Sequence, residues 1–365
     1  MSVMEKGGLK ELKKKIKEKQ GKITTIDLSK GLSTGSTLLN LSLTGNSMVG
    51  WLPGFYYLFV GDSNSGKSYI TLGALAEASI NPNFDDYDLI YNGPEEGALM
   101  DIRKHYGVKL ERRLTRIVTR TIEEFYYDLD DRLSSGKPFI EILDSWDVLD
   151  SESAQEKFDE QKKAFREGRE TAGSYGDGKP KKNSSLLRTV VSRLAKSQSI
   201  LIGISQTRDN IPKPGIPMFM QPKKTRSGGH AMKFYAMAEL WSSVKETLKK
   251  KIRGRDLEVG KLCRIEVKRT RVTGLDRTVE IPIYPSMGVD DVGSCVDFMI
   301  DWKSWKTTGA YIEAEDLELK GTRDEIIRAI EEGNKERELQ LAVLETWHDI
   351  EQQCSLQRKR RYSDE

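Results

Sequence analysis

Residues 55–79 read "FYYLFVGDSNSGKSYITLGALAEAS": an apolar run, a glycine-rich loop, then a proline-free stretch. This feature constrains the fold more than any other in the chain. The apolar run predicts a strand over 55–60, and the last stretch predicts a helix. The loop between them satisfies G-x-x-x-x-G-K-[ST] with Gly61, Gly66, Lys67 and Ser68. The glycines let the backbone wrap closely enough for its N–H groups to face phosphate oxygens. Lys67 is placed to reach the outer phosphates of a nucleotide, and the Ser68 hydroxyl to ligate Mg²⁺. The helix N-terminus adds a favourable dipole.

Further along, "DLIYN" (88–92), "FIEILD" (139–144) and "SILIGIS" (199–205) predict strands separated by helical segments. Short apolar runs in that rhythm imply an α/β fold, with a mainly parallel sheet and helices on both faces. "LCRIEVKRT" and "RTVEIPIY" flank "RVTGLD" and predict an antiparallel hairpin. Residues 5–19 place Leu9, Leu12 and Ile16 on one helical stripe among lysines. That helix docks on its own domain or on a neighbouring subunit, and periodicity alone does not choose. Two segments read as loops: polar 151–183, and 207–229 with prolines at 212, 214, 217 and 222. From about 297 the composition changes, and 322–353 is strongly helical in propensity. The expected division is therefore 1–35 (docking helix and linker), 36–296 (core) and 297–365 (small C-terminal domain and charged tail).

The chain has 365 residues, 37% hydrophobic and 32% charged, with a formal net charge of only +3. The total charge does not mark a nucleic-acid binder, so its distribution matters more. Basic clusters lie at 179–182, 223–226, 249–255 and 358–361. Cys263, Cys295 and Cys354 are far apart and form no metal-binding spacing, as expected of reduced thiols. No apolar run is long enough to span a membrane, and the polar N-terminus has no secretory pattern, so a cytoplasmic protein is expected.

Three strand ends carry candidate chemistry. Asp144 ends an apolar strand, where a carboxylate can hold a water on Mg²⁺. Glu95 or Glu96, after the second strand, can polarise an attacking water. Gln206 ends the fourth strand, where an amide can sense the terminal phosphate and pass the signal into the loop behind it. That loop reads as a nucleic-acid element. Lys213, Lys223, Lys224 and Arg226 can neutralise phosphates. Met218 and Phe219 can stack on or insert between bases. Met237 and Trp241 are expected in the core.

In this order, the pieces resemble the RecA family of recombinases, the phage UvsX type included. "STGSTLLNLSLTG" and "GWLPGFYYLFVGDSNSGKS" resemble the family's run into its phosphate loop. "EGAL" at 96–99 resembles the element that carries the family's catalytic glutamate, a register that favours Glu96. "LIGISQTRD" resembles the strand that ends in the family's glutamine switch, with Ser205 in place of the usual asparagine. "MFMQPKKTRSGGHAMKFYA" (218–236) resembles the end of the second DNA-binding loop, with His230 in place of an asparagine. "RIEVKRTRVTG" is similar to the strand that offers basic residues to the adjacent subunit's nucleotide, and Arg269 and Arg271 fit best. Segment 151–183 stands where the first DNA-binding loop would be, but is longer and more charged. Lys179, Lys181 and Lys182 are its candidate DNA contacts.

The resemblance implies a RecA-like P-loop NTPase core with an N-terminal helix and a small C-terminal α+β domain. It implies ATP and Mg²⁺ bound by Gly61, Asp62, Ser63, Asn64, Ser65, Gly66, Lys67, Ser68, Tyr69 and Asp144. Glu96, Lys67, Gln206, Arg269 and Arg271 would act in DNA-dependent ATP hydrolysis. Met218, Phe219, Lys223, Lys224, Arg226, Gly228 and Gly229 would contact DNA. Implied partners are single- and double-stranded DNA, further copies of the chain in a helical filament, and loading or single-strand-binding proteins. The setting would be the cytoplasm of a bacterial cell or a phage-infected host. The same core also serves hexameric DNA helicases and non-hydrolysing recombination mediators, which are the competing readings.

Overall fold

The computed structural model describes residues 26–95, 101–167, 179–209, 224–226, 229–356 and 358. In chain order the helices are α1 (Thr37–Thr44), α2 (Lys67–Ile80), α3 (Ile102–Arg113), α4 (Ile122–Ser135), α5 (Glu152–Arg166), α6 (Lys179–Ser197), α7 (Gly229–Tyr235), α8 (Asp291–Asp301), α9 (Arg323–Glu332) and α10 (Glu336–Cys354). The large sheet takes β1 (Tyr56–Gly61), β2 (Asp88–Asn92), β3 (Leu114–Ile117), β4 (Phe139–Leu143), β5 (Ile200–Asp209), β6 (Lys224–Arg226), β7 (Ala238–Ile252), β8 (Arg255–Thr270), β9 (Arg277–Tyr284) and β10 (Gly288–Val289). A second, three-stranded antiparallel sheet takes β11 (Lys306–Thr308), β12 (Tyr311–Ala314) and β13 (Leu319–Gly321).

The order across the large sheet is β10-β9-β8-β7-β1-β5-β4-β2-β3, with β6 paired to β5. From β7 to β3 every neighbouring pair is parallel. From β7 to β10 every pair is antiparallel. The central parallel strands β1, β5, β4 and β2 are largely apolar on both faces, as their burial between two helical layers requires, whereas the edge strand β3 is half-exposed. Tyr57, Phe59, Leu89, Ile140, Ile142 and Ile202 pack with α1, α2 and the C-terminal helices. Tyr56, Leu58, Val60, Ile90 and Leu201 pack with α4, α6 and α7. On this second face Gly203 lies under the Trp146 indole; a Cβ there would come within 1.9 Å of Nε1.

The expected mainly parallel α/β core and small C-terminal α+β unit are both present. The helix expected at 5–19 lies outside the described residues. The small sheet, α9 and α10 pack onto α8, where Trp347 stacks on Phe298 at 6.0 Å. Arg323 grips Asp297 with both Nε and Nη2, at 2.6 and 2.8 Å. Position 297 therefore falls inside α8, and Leu339 and Val343 of α10 belong to the same apolar cluster as the core strands.

Segment 151–183 is a correction. Most of its described part is helical rather than loop, in α5 and the start of α6. Residues 152–166 are rich in Glu, Gln, Lys, Ala and Arg and contain no proline, and these residues favour a helix wherever nothing opposes it. Segment 207–229 is also more ordered at its ends than expected, because Thr207–Asp209 pair antiparallel with Lys224–Arg226. Strands β3 and β7 were not anticipated. Trp241, expected in the core, is half-buried on β7, with the Lys268 ammonium 3.8 Å above its ring.

Candidate nucleotide site and its link to the second loop

Parallel strands bring their carboxyl ends to one edge, so the loops that follow them converge. Gly61 of β1 pairs in register with Gln206 of β5 and Ser242 of β7. Asp144 follows β4, and Glu95 follows β2. A cavity of about 750 Å³ opens along this edge. It is lined by residues 63–69, Tyr91, Glu95, Asp144 and Gln206, and on the far side by Glu258, Gly260, Lys261, Cys263, Ile283 and Pro285. Such a volume suits a nucleotide-sized ligand.

The phosphate loop has the shape its glycines allow. Gly66 caps α2 with φ +85°, and a Cβ there would lie 2.3 Å from Ile283 Cδ1. Lys67 Nζ donates to the loop's own carbonyls, Gly61 O at 3.0 Å and Asp62 O at 2.6 Å. Burial pushes its pKa down, while Asp144 and Glu95 are the leading charges that oppose the shift. The Ser68 hydroxyl donates to Asp144 Oδ2 at 2.6 Å, and the Tyr91 hydroxyl donates to the same oxygen at 2.9 Å. Burial raises the Asp144 pKa, and those two donors restrain the rise. A hydroxyl and a carboxylate in contact at the mouth of a phosphate loop are the hard oxygen donors that suit Mg²⁺.

Glu95 is the carboxylate brought to the centre. Its Oε1 accepts from Ser145 Oγ at 2.6 Å and from Gln206 Nε2 at 2.7 Å. Glu96, favoured by the resemblance, lies outside the described residues. The Gln206 backbone N–H donates to Asp147 Oδ2 at 2.7 Å, which fixes the strand end. One residue on, the Thr207 hydroxyl donates to Asp62 Oδ1 of the phosphate loop. Thr207 is also the first residue paired with β6. The stem of the second loop is thus bonded directly to the phosphate loop.

Other expected residues fall elsewhere. Arg269 and Arg271 do not line their own chain's cavity. They reach the carboxyl end of α7, Arg269 donating to Lys233 O at 3.4 Å and Arg271 to Phe234 O. Burial, then repulsion by Arg269, lowers the Arg271 pKa. Met218, Phe219, Lys223 and Gly228 lie outside the described residues. Lys224 and Arg226 are on β6, and Gly229 begins α7. Sequence reasoning missed Tyr91 and Ser145. Tyr91 had a signal, a tyrosine one residue before the end of an apolar strand beside the phosphate loop. Ser145 had none beyond following Asp144.

No family model matches the chain. Among known proteins, it is similar to Protein RecA of Chlorobaculum tepidum, 26% identical over 315 residues, covering 82% of this chain and 79% of that one. Protein RecA of Methylobacterium sp. (strain 4-46) is 28% identical over 308 residues, covering 80% and 73%. Protein RecA of Streptomyces venezuelae is 27% identical over 289 residues, covering 78% and 68%. No helix among the described residues is long and apolar enough to cross a membrane.

Proposed function

We propose, since this chain is a homologue of the RecA proteins, that it is an ATP-dependent recombination protein that coats single-stranded DNA as a filament and promotes homologous pairing and strand exchange. One observation carries the reading. Glu95, in the nucleotide cavity, is hydrogen-bonded to Gln206, and the next residue is tied both to the phosphate loop and to the stem of the loop at 210–223. A change at the terminal phosphate therefore has a short covalent and hydrogen-bonded route to a segment with four prolines and two lysines.

Each residue has a role in that cycle. Lys67 leaves the carbonyls of Gly61 and Asp62 to pair with phosphate oxygens, and the loop N–H groups hold the remainder. Ser68 and Asp144 would hold Mg²⁺, which supplies charge neutralisation at the phosphates when bound. Glu95 or Glu96 orients and polarises the attacking water. Arg269 and Arg271, clear of their own cavity, would complete the site of a neighbouring copy, so the ATP site is shared. Met218 and Phe219 would stack on bases, while Lys223, Lys224 and Arg226 neutralise phosphates. Gly228 and Gly229 would let the loop return to α7.

Electron microscopy with single-stranded DNA and a non-hydrolysable ATP analogue tests the reading. Open helical filaments are expected. Closed hexameric rings would overturn it in favour of a helicase.

A further inference from the structure

Strand β7 does not stop at the sheet edge. Its Ser242 is level with Gly61, yet the strand runs on to Ile252, and β8 returns from Arg255. Strand β9 accompanies β8 only as far as Lys261. Beyond it, residues 248–260 form a two-stranded ribbon with no third strand among the described residues, projecting roughly 15 Å at 3.4 Å per residue. It leaves from the same edge that carries the phosphate loop and Gln206. Arg253 and Gly254, both with positive φ, make the two-residue turn at its tip.

The ribbon has two unlike faces. Cross-strand partners and alternate residues share a face. Lys249 and Lys251 stand opposite Glu258 and Asp256, on the face that turns Glu258 to the nucleotide cavity. Lys250, Ile252, Arg255 and Leu257 make the other face, which carries no acid beyond Glu246 at its base, beside β9. Ile252 is 44% exposed and Leu257 48%. Among the described residues, none of Lys249, Lys250, Lys251, Arg253 and Arg255 has a carboxylate within 4.0 Å. A bare two-stranded ribbon is marginal in water, and one with aliphatic residues on an open face favours being covered. A run of lysines argues against a protein as the cover, because lysine is depleted from protein interfaces. Cations spaced around small apolar side chains on a two-stranded ribbon match the phosphates and base edges of a DNA groove.

Resting on the reading that DNA is this protein's polyanionic partner, we propose that the ribbon at 248–260 is an arm that binds duplex DNA through Lys250 and Arg255, with Ile252 and Leu257 against the groove. The contact is sequence-independent.

The test is fluorescence anisotropy of the full chain with a labelled mixed-sequence duplex of about 30 base pairs, titrated at several salt concentrations. Lys250→Ala with Arg255→Ala should weaken duplex binding about 10-fold at low salt and reduce the salt slope by about 2, since each lost phosphate contact removes about 0.9. Arg255→Lys should keep the wild-type slope, and Ile252→Ala with Leu257→Ala should weaken binding without changing it. An unchanged affinity and slope in the double cation variant overturns the proposal. So does intact duplex binding together with lost self-association in sedimentation, which would assign the arm to a protein surface. Single-strand-stimulated ATP turnover is read in the same samples. Its absence from the wild type, with an arm-dependent duplex isotherm, would sink the functional reading and leave the arm standing.

Discussion

The two halves of the large sheet solve different problems. The parallel half, built on β1, β5, β4 and β2, is covered on both faces and presents its chemistry at its carboxyl edge. The antiparallel extension, β8 to β10, lends one face to the cavity through Gly260, Lys261 and Cys263, and leaves its outer face and arm to solvent. Residues in the parallel half are therefore held on several sides, and substitutions there act on chemistry or folding. Substitutions on the outer side of the extension act on what it touches.

Lys67→Ala should break the comparison most visibly, lowering ATP turnover by on the order of 100-fold or more, since it removes a preorganised charge aimed at the phosphates. If the site is shared, mixing this variant with an Arg269→Ala, Arg271→Ala chain restores part of the turnover. Near-normal turnover of Lys67→Ala alone would remove the cavity from consideration. Glu95→Gln and Glu96→Gln separate two adjacent candidates. The hydrogen bonds to Ser145 and Gln206 favour Glu95, whose substitution should cost about 100-fold, the middle of the range for a general base. A full effect at Glu96 and none at Glu95 would reverse the assignment.

Gly203→Ala tests how tightly the parallel half is packed. A methyl 1.9 Å from the Trp146 indole nitrogen should cost about 1–3 kcal/mol of stability by overpacking, read as a lower urea midpoint. A wild-type midpoint would mean that the layer yields freely. The smallest effect concerns Glu141 on β4. It is fully buried, accepts one hydrogen bond from Asn92 at 3.3 Å, and burial pushes its pKa from 4.5 up to about 7. The folded chain holds this proton up to about pH 7, whereas the unfolded chain releases it near 4.5. Stability from the group is thus full below the lower value and is lost as pH rises through the higher one. Glu141→Gln should flatten the fall in urea midpoint between those pH values. Asp144, Asp290 and Asp291, also raised by burial, stay in both chains and cancel in the comparison. An unchanged pH slope would place the charge in a wetter setting.

The phosphate loop, Asp144 and Gln206 were legible in the sequence because each is a short signal at the end of an apolar strand, and parallel topology then brings such ends together. The choice at 95–96 was not legible locally. The two neighbours have the same chemistry, and only the backbone path after β2 decides which one meets Gln206. Strand β7 was hidden because four of the eight residues in "KETLKKKI" are lysines, which are uncommon in strands, and its aliphatic residues Leu248 and Ile252 are too sparse to show an alternating pattern. Helix α5 was hidden because its charged composition reads equally as a solvated loop, and it forms on propensity with most of its described side chains exposed.

The central claim is that Gln206 couples the ATP site to the DNA loop. ATP turnover of Gln206→Ala, measured with and without single-stranded DNA, tests it most directly. The ratio of the two rates should fall to about one, because the amide that links Glu95 to the loop stem is gone. A ratio equal to that of the wild type would contradict it.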